Sequence, residues 1–342
     1  MKPSRVRAAV IGCGWIGLGA ECDVVRVKPA SHAQGYATHG ETELVALVDT
    51  NKASLELAER LYPQVKRYAD AETMLKEMKP EIVSIATPPE DHCALVELCA
   101  RTGVRVILCE KPVSEDKEEA ERAIQVTKKE GAILLVNHSR RFDPLIRRYQ
   151  EYVKGGYVRD TYIGAIKAAT VYMGTGLYHT GTHLVDLLRF FLGEVEWVSA
   201  VRNDHFSHPE GDVNVDGLIG FKGGIVVALQ SFEVKDYALS EVIFFGEQGR
   251  LTLRGMSGMR IELRGIRTSP EFSYKELNDD QAIVEGEARS WIAPAIANAV
   301  DCFRGTASPM STGEDALAAL YILHALHESS QQDGKVVRLK TA

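Results

Sequence analysis

No two of the six cysteines (Cys13, Cys22, Cys93, Cys99, Cys109 and Cys302) form a C-x-x-C pair. Zinc-ribbon and thioredoxin-type sites therefore have no support. Thiols scattered in or beside apolar runs of a long chain are expected to be small buried groups in a reducing compartment. Long apolar runs are missing as well. A bilayer span takes about 20 consecutive apolar residues, and no run approaches that length. Met1–Arg7 has no long apolar stretch after its basic residues, so no secretory leader is expected and the expected setting is cytoplasmic, with no membrane partner. Positive charge is not in excess: 40 Lys and Arg stand against 47 Asp and Glu, a net −7. Nucleic-acid binding wants a basic face, so a nucleic-acid partner is not expected either. There is no internal repeat and no low-complexity tract.

What is present is an ordinary globular composition, 45% hydrophobic and 25% charged over 342 residues. At about 150 residues per domain that length suggests two domains. The first 137 residues alternate regularly. Short, continuously apolar runs at Val6–Ile11, Leu44–Val48, Ile82–Ala86, Val104–Leu108 and Ile133–Val136 read as strands buried on both faces of a parallel sheet. Helical stretches separate them at Ala53–Leu61, Ala71–Met78, His92–Thr102 and Glu115–Lys129, the last with Ser114 as its expected N-cap. This predicts an α/β fold, with an N-terminal Rossmann-type, doubly wound parallel sheet.

After Asn137 the rhythm changes. Pro144 opens an expected helix to about Val153, ended by glycines at 155 and 156. A second helix is expected at Thr180–Leu192, stopped by Gly193. Strand-like runs follow without helices between them: Val195–Val201, Val213–Phe221, Ile225–Phe232, Glu241–Phe245, Arg250–Arg254 and Arg260–Leu263. Residues 265–285 lack periodicity and read as a loop, and two helices close the chain at about Ala288–Phe303 and Gly313–Ser330. The expectation is a C-terminal α+β domain with an open, mostly antiparallel sheet.

Gly12-x-Gly14-x-x-Gly17 follows the first strand directly. Glycines there allow a tight turn and let backbone N–H groups approach a pyrophosphate. Asp49 ends the second strand, where a carboxylate can accept from both hydroxyls of an adenosine ribose and would repel a 2′-phosphate. That favours NAD over NADP; the other reading of Asp49 is a cap for the helix that follows. Asp49 lies 49 − 17 = 32 residues past Gly17, against about 20 in the usual fingerprint. Leu18–Ala30 therefore look inserted, and the pyrophosphate helix is expected to be broken or to begin again near Ser31. Thr87-Pro88-Pro89 and Glu110-Lys111-Pro112 follow later strands at their carboxyl ends, where ligands of open α/β sheets sit.

In this order Gly12-x-Gly14-x-x-Gly17, the strand ending in Asp49, Thr87-Pro88-Pro89-x-x-His92, Glu110-Lys111-Pro112, Arg141-Phe142-x-Pro144 and Gly181-Thr182-His183-Leu184-Val185-Asp186 resemble the Gfo/Idh/MocA oxidoreductase family. Thr312-Gly313-Glu314-Asp315-Ala316 resembles that family's closing segment. The resemblance implies an NAD(P)-dependent dehydrogenase or reductase of CH–OH groups in sugars, cyclitols or sugar nucleotides. It implies a cofactor domain over 1–137, and a substrate and oligomerisation domain over 138–342 that makes a homo-oligomer, dimer or tetramer.

The resemblance also implies the site. Cofactor contacts would come from Gly12, Gly14, Trp15, Ile16, Gly17, Asp49, Thr50, Thr87, Pro88, His92, Glu110 and Lys111. Lys111 would bind the reacting hydroxyl and His183 would be the general acid/base, for which a near-neutral pKa suits histidine. His179 stands where the family commonly has an aspartate four residues before that histidine. Tyr172 or Tyr178 would lend a hydroxyl. Apart from the resemblance, Arg141 and Arg147 in the basic cluster around Pro144 would meet a substrate carboxylate or phosphate; the other reading of these arginines is a solvated helix face. His179, His183 and Asp186 lack the H-E-x-x-H glutamate, so no metal is expected. Two other readings share the fold: a glycosidase that uses bound NAD as a transient oxidant, and a ligand-sensing regulator without turnover.

Overall fold

The computed structural model describes residues 4–155, 157–158, 161–174, 176–255 and 259–339. In chain order the elements begin β1 (Val6–Ile11), α1 (His32–Thr38), β2 (Thr42–Val48), α2 (Lys52–Leu61), β3 (Lys66–Tyr68), α3 (Ala71–Met78) and β4 (Ile82–Ile85). They continue α4 (His92–Arg101), β5 (Val106–Cys109), α5 (Lys117–Glu130), β6 (Ile133–Val136), the short α6 (Ser139–Phe142) and α7 (Pro144–Gly155). Residue 156, the second of the two expected helix-ending glycines, lies outside the described residues. Next come the strand pair β7 (Tyr157–Val158) and β8 (Thr161–Tyr162), then β9 (Ile166–Met173), α8 (Thr182–Leu192), β10 (Val195–Arg202), β11 (Val215–Phe221) and β12 (Val226–Ser231). The chain closes with β13 (Ser240–Gly246), β14 (Gly249–Arg254), β15 (Arg260–Thr268), β16 (Lys275–Leu277), β17 (Ile283–Glu285), α9 (Ala293–Arg304), α10 (Gly313–Ser330) and β18 (Val337–Arg338).

The first sheet has the order β3-β2-β1-β4-β5-β6 and is parallel throughout. Alternate residues of its strands enter two cores, as burial on both faces requires. Ala9 and Ile11 of β1 pack with Met74, Val96, Ala120, Ala123 and Leu320 on one side. Val6, Ala8 and Val10 pack with Leu18, Tyr36, Ala58, Ile296 and Ala299 on the other. The doubly wound fold expected from the sequence is therefore present.

The chain packs as two compact units, Met1–Asp143 with Arg289–Leu320, and Pro144–Ala288 with Tyr321–Ala342. This division differs from a single cut after residue 137. The reason is packing: α9 lays Ala295, Ile296 and Ala299, all fully buried, on the α1 side of the first sheet. A Cβ on Gly35 of α1 would come 2.2 Å from Ile296 Cδ1, so the missing side chain lets α9 sit against α1. A fully buried isoleucine side chain contributes roughly 1.5–3 kcal/mol and a buried alanine methyl roughly 0.8 kcal/mol, and together they favour 289–320 on this unit.

The second unit is built on a ten-stranded sheet, β16-β15-β14-β13-β9-β12-β11-β10-β18, with β17 beside β15. Its pairs are antiparallel except β9 with β12. Central β9 gives no apolar run because Lys167 and Thr170 interrupt it. Residues 265–285 are not a loop: the end of β15, then β16 and β17, form short edge strands. The cap of α5 is Asp116, whose side chain accepts from Glu119 N at 2.8 Å, rather than Ser114. Among the described residues no helix is long and apolar enough to cross a membrane. All six cysteines are free; Cys22 is exposed and the other five are buried.

Candidate functional site

The carboxyl-terminal edge of the first sheet collects the glycine loop after β1, Asp49 after β2, Thr87 and Pro88 after β4 and Lys111 after β5. The three glycines are needed for three reasons. Gly12 has φ +96°, and a Cβ there would lie 2.5 Å from the Ala86 carbonyl carbon. A Cβ on Gly17 would lie 1.9 Å from Gly12 O. A Cβ on Gly14 would meet no protein atom within 4 Å, so the backbone there faces open space in which a diphosphate fits. Trp15, between the glycines, is 56% exposed.

Asp49 Oδ2 accepts from Cys13 N at 2.7 Å and Oδ1 from Asn51 N at 2.7 Å. The cap of α2 is Asn51, which accepts from Ala53 N and Ser54 N, so the cap reading of Asp49 falls away. Its carboxylate is instead tied to the glycine loop, with lone pairs remaining on both oxygens. Burial first, and then the Asp49 charge, push the Cys13 thiol up to about 12, so it stays neutral beside the loop. Thr50 is exposed.

Glu110 and His92 have bracing positions. His32 Nε2 and Asn137 Nδ2 reach Glu110 Oε1 at 2.9 and 2.6 Å, and Lys111 N donates to Oε2 at 3.2 Å. Beyond, His32 Nδ1 meets Ser84 Oγ at 2.9 Å, and Tyr36 Oη meets the same oxygen at 2.9 Å. An ionised carboxylate only accepts, so in the neutral ring the His32 proton lies on Nε2 and Nδ1 accepts from Ser84. Burial alone would push the Glu110 carboxyl up; hydrogen bonds from His32 and Asn137 and the charge of Lys111 outweigh it and hold it below its ordinary 4.5. His92, 1% exposed, has its ring nitrogens on Pro112 O (2.7 Å) and Thr87 O (2.9 Å). Both side chains fix the turns that carry Thr87 and Lys111.

Arg141 is half of an ion pair. Its guanidinium meets Asp315 Oδ1 at 3.1 Å and its side chain is 9% exposed. Asp315 in turn closes a reciprocal cap with Thr312 at the start of α10. Arg141 therefore ties the closing segment to the first unit.

In the second unit Thr180 is not the start of an α-helix. Residues Leu177–Gly181 form a π turn before α8, in which Gly181 N reaches back to Gly176 O at 3.3 Å. Such turns are frequent at functional sites. The turn is held by Asp212, whose carboxylate accepts from Tyr178 N (3.0 Å), His179 N (2.9 Å) and Val213 N (2.7 Å). Gly176 has φ +87°, and a Cβ there would lie 2.2 Å from Asp212 Oδ2. A carboxylate thus lies beside His179, but it holds the backbone. His179 is exposed, while His183 at the start of α8 is half-buried, as are Tyr172 and Tyr178. Tyr178 Oη meets His327 Nδ1 at 3.0 Å. Among the described residues no group of three His, Cys, Asp or Glu is placed to hold a metal ion.

Sequence reasoning missed His32, Ser84, Asn137 and Asp212. The available signal was polarity in the wrong place: Ser84 interrupts an apolar strand and Asn137 ends one.

A glycine-rich loop at the strand edge of a doubly wound sheet, in a chain that also carries a separate α+β unit, is the pattern of a two-domain dinucleotide-binding oxidoreductase. Residues 6–138 match the family described as "Oxidoreductase family, NAD-binding Rossmann fold", and residues 164–252 match the "GFO/IDH/MocA C-terminal domain". The chain belongs to the Gfo/Idh/MocA oxidoreductase family, and its first unit carries the NAD-binding Rossmann fold. It is 26% identical to the D-apiose dehydrogenase of Paraburkholderia graminis over 98% of this chain and 90% of that one. It is 25% identical to the myo-inositol 2-dehydrogenase of Thermotoga maritima over 97% and 98%. Among solved structures, the WlbA dehydrogenase of Bordetella pertussis, in complex with NADH and UDP-GlcNAcA, superposes with a TM-score of 0.76 at 20% identity, covering 99% of this chain and 100% of that one.

Proposed function

We propose that this chain is an NAD-dependent dehydrogenase or reductase of a carbohydrate-like alcohol or ketone: a sugar, a cyclitol or a sugar nucleotide. The carrying observation is the strand edge of the first unit, where Gly14 opens to space, Asp49 is tied to the glycine loop and Lys111 is fixed through Glu110. The relatives named for D-apiose and myo-inositol support a polyhydroxylated substrate.

The bound nicotinamide supplies the hydride acceptor or donor. Gly12–Gly17 backbone groups hold the diphosphate. Asp49 accepts from the adenosine ribose hydroxyls and repels a 2′-phosphate, which selects NAD. Lys111 donates to the reacting oxygen, and His183 takes or returns the hydroxyl proton. His179 stands where a carboxylate would otherwise orient that histidine, and Tyr172 or Tyr178 lends a hydroxyl. A homo-oligomer formed through the open sheet and a cytoplasmic setting belong to the same reading; six free cysteines suit a reducing compartment.

Incubation with NAD and a panel of sugars, cyclitols and their glycosides tests this. Net NADH on at least one free sugar or cyclitol is the expected result. Released aglycone without net NADH would make the chain an NAD-using glycosidase, and neither signal with ligand binding intact would make it a sensor.

A further inference from the structure

The stretch after Gly17 is an excursion inserted into a helix. His32 N donates to Ile16 O at 3.1 Å and Ala33 N to Gly17 O at 3.0 Å. If Gly19–Ala30 were removed, Leu18 would join Ser31, and these two bonds would be the ordinary i+4 to i bonds of a continuous α-helix. The junction residues are fixed: Leu18 and Ser31 are fully buried. Within α1, His32 is held by Ser84 and Glu110, and Gly35 lies against Ile296. A longer insertion could not extend the helix without moving these contacts, so the extra residues leave the axis and return to it.

The excursion is nevertheless well tied. Lys28 Nζ donates to the carbonyls of Ala20 (3.2 Å), Glu21 (2.6 Å) and Asp23 (2.7 Å). Glu21 Oε2 accepts from Ala30 N at 2.9 Å, and Ser290 Oγ donates to Pro29 O at 2.5 Å. One consequence of this ordering is the placement of Arg26. Its guanidinium carbon sits 5.5 Å from the ring centroid of Trp15, inside the Gly12–Gly17 loop. The side chain is 45% exposed, and among the described residues it pairs with Asp23, Nε to Oδ2 at 3.4 Å. The other cation of the excursion, Lys28, is taken up by the three carbonyls and by Glu21 at 3.7 Å. The inserted residues thus bring one long, partly solvated cation to the rim of the loop whose Gly14 faces open space.

We infer that the Gly19–Ala30 excursion is an addition to the dinucleotide site, and that Arg26 is a diphosphate-binding residue carried on it. Guanidinium is suited to that contact, since its planar donors match phosphate oxygens. The cation–π contact with Trp15 pre-orders the side chain, which stays 45% exposed. Asp23 sets the resting position and competes with the phosphates for the same charge. The inference rests on the NAD-binding reading above and adds a contact from outside the glycine loop.

Calorimetric titration of NADH, ADP and adenosine tests it without any turnover. Arg26→Met keeps the stem over Trp15 and removes the charge. It is expected to weaken NADH and ADP about tenfold, to leave adenosine unchanged, and to flatten the salt dependence of NADH binding. Asp23→Asn keeps the oxygen that accepts from Val25 N and frees Arg26, so NADH should bind severalfold more tightly. A chain lacking residues 19–30 should fold and bind NADH as weakly as Arg26→Met; should it fail to fold, the two point variants decide. Unchanged NADH and ADP affinity in Arg26→Met overturns the inference while leaving the cofactor reading intact. Wild-type protein that binds neither NADH nor ADP overturns both.

Discussion

The two units place their chemistry-bearing residues by different means. In the first, Lys111 is fixed from behind by side chains. Glu110 accepts from His32 on α1, from Asn137 after β6 and from the Lys111 backbone. In the second, the segment leading to His183 is fixed through its backbone: one carboxylate, Asp212, takes the amides of Tyr178 and His179 at a π turn. A side-chain network converging from three elements cannot be moved without disturbing all of them. A backbone cap fixes where a turn begins and leaves the side chains beyond it free to vary. The difference suits a first unit that binds one cofactor and a second unit to which the proposal gives the substrate.

Removing the first unit's end point should have the largest effect. Lys111→Ala is expected to lower kcat by roughly 10²–10⁴ with NADH affinity within a few-fold, because a hydroxyl-binding cation matters mainly in the transition state. Steady-state kinetics beside direct NADH titration would check this, and an equal loss in both would make Lys111 a binding residue.

Breaking the network behind Lys111 should be felt next, and in stability. His32→Ala leaves Glu110 without its main partner and should cost about 1.5–3 kcal/mol in urea unfolding at neutral pH, the range for a hydrogen bond to a charged group. The Glu110 carboxyl is held below its ordinary value. Its contribution is therefore present above that ordinary value and is lost as pH falls through the lowered one. His32→Ala raises the folded value, so its stability should fall less steeply between about pH 5 and pH 3 than the wild type's. Parallel acid branches would remove Glu110 from the account.

Asp49→Ala sharpens the comparison at the cofactor. Loss of the ribose contact should weaken NADH more than NADPH, by about 1–3 kcal/mol. Equal weakening of the two would mean that Asp49 serves only Cys13 and Asn51. The smallest effect is expected at the backbone cap. Asp212→Ala should cost about 1–2 kcal/mol of stability and raise KM for the substrate, with NADH affinity unchanged. A change in NADH affinity instead would show that the cap is not specific to the second unit.

Much of this was legible in the sequence, for reasons that differ by region. β1, β6, α3 and α10 are found where the apolar period places them, because each meets its core through local spacing. β9 was not legible: its exposed Lys167 and half-buried Thr170 hide a central strand behind a pattern with no apolar run. β16 and β17 are three-residue edge strands without a buried face. Among candidate site residues, the sequence offers those that share a short motif, the glycine loop, Asp49 and Lys111, and the structure brings these to one strand edge. Their partners were not legible, since His32 and Glu110 lie 78 positions apart, and Tyr178 and Asp212 lie 34 apart. Nothing local in either sequence neighbourhood announces such a contact. The Arg141–Asp315 ion pair was not legible either, since Asp315 belongs to the far end of the chain.

The central claim is that cofactor binding and proton handling are separate duties of the two units. It is tested most directly by His183→Ala, with kcat and the NADH dissociation constant measured on one preparation. The account predicts kcat lowered by roughly 10²–10⁴, with the NADH constant within threefold of wild type. A variant that keeps wild-type kcat, or one that loses kcat and NADH affinity together, would contradict it.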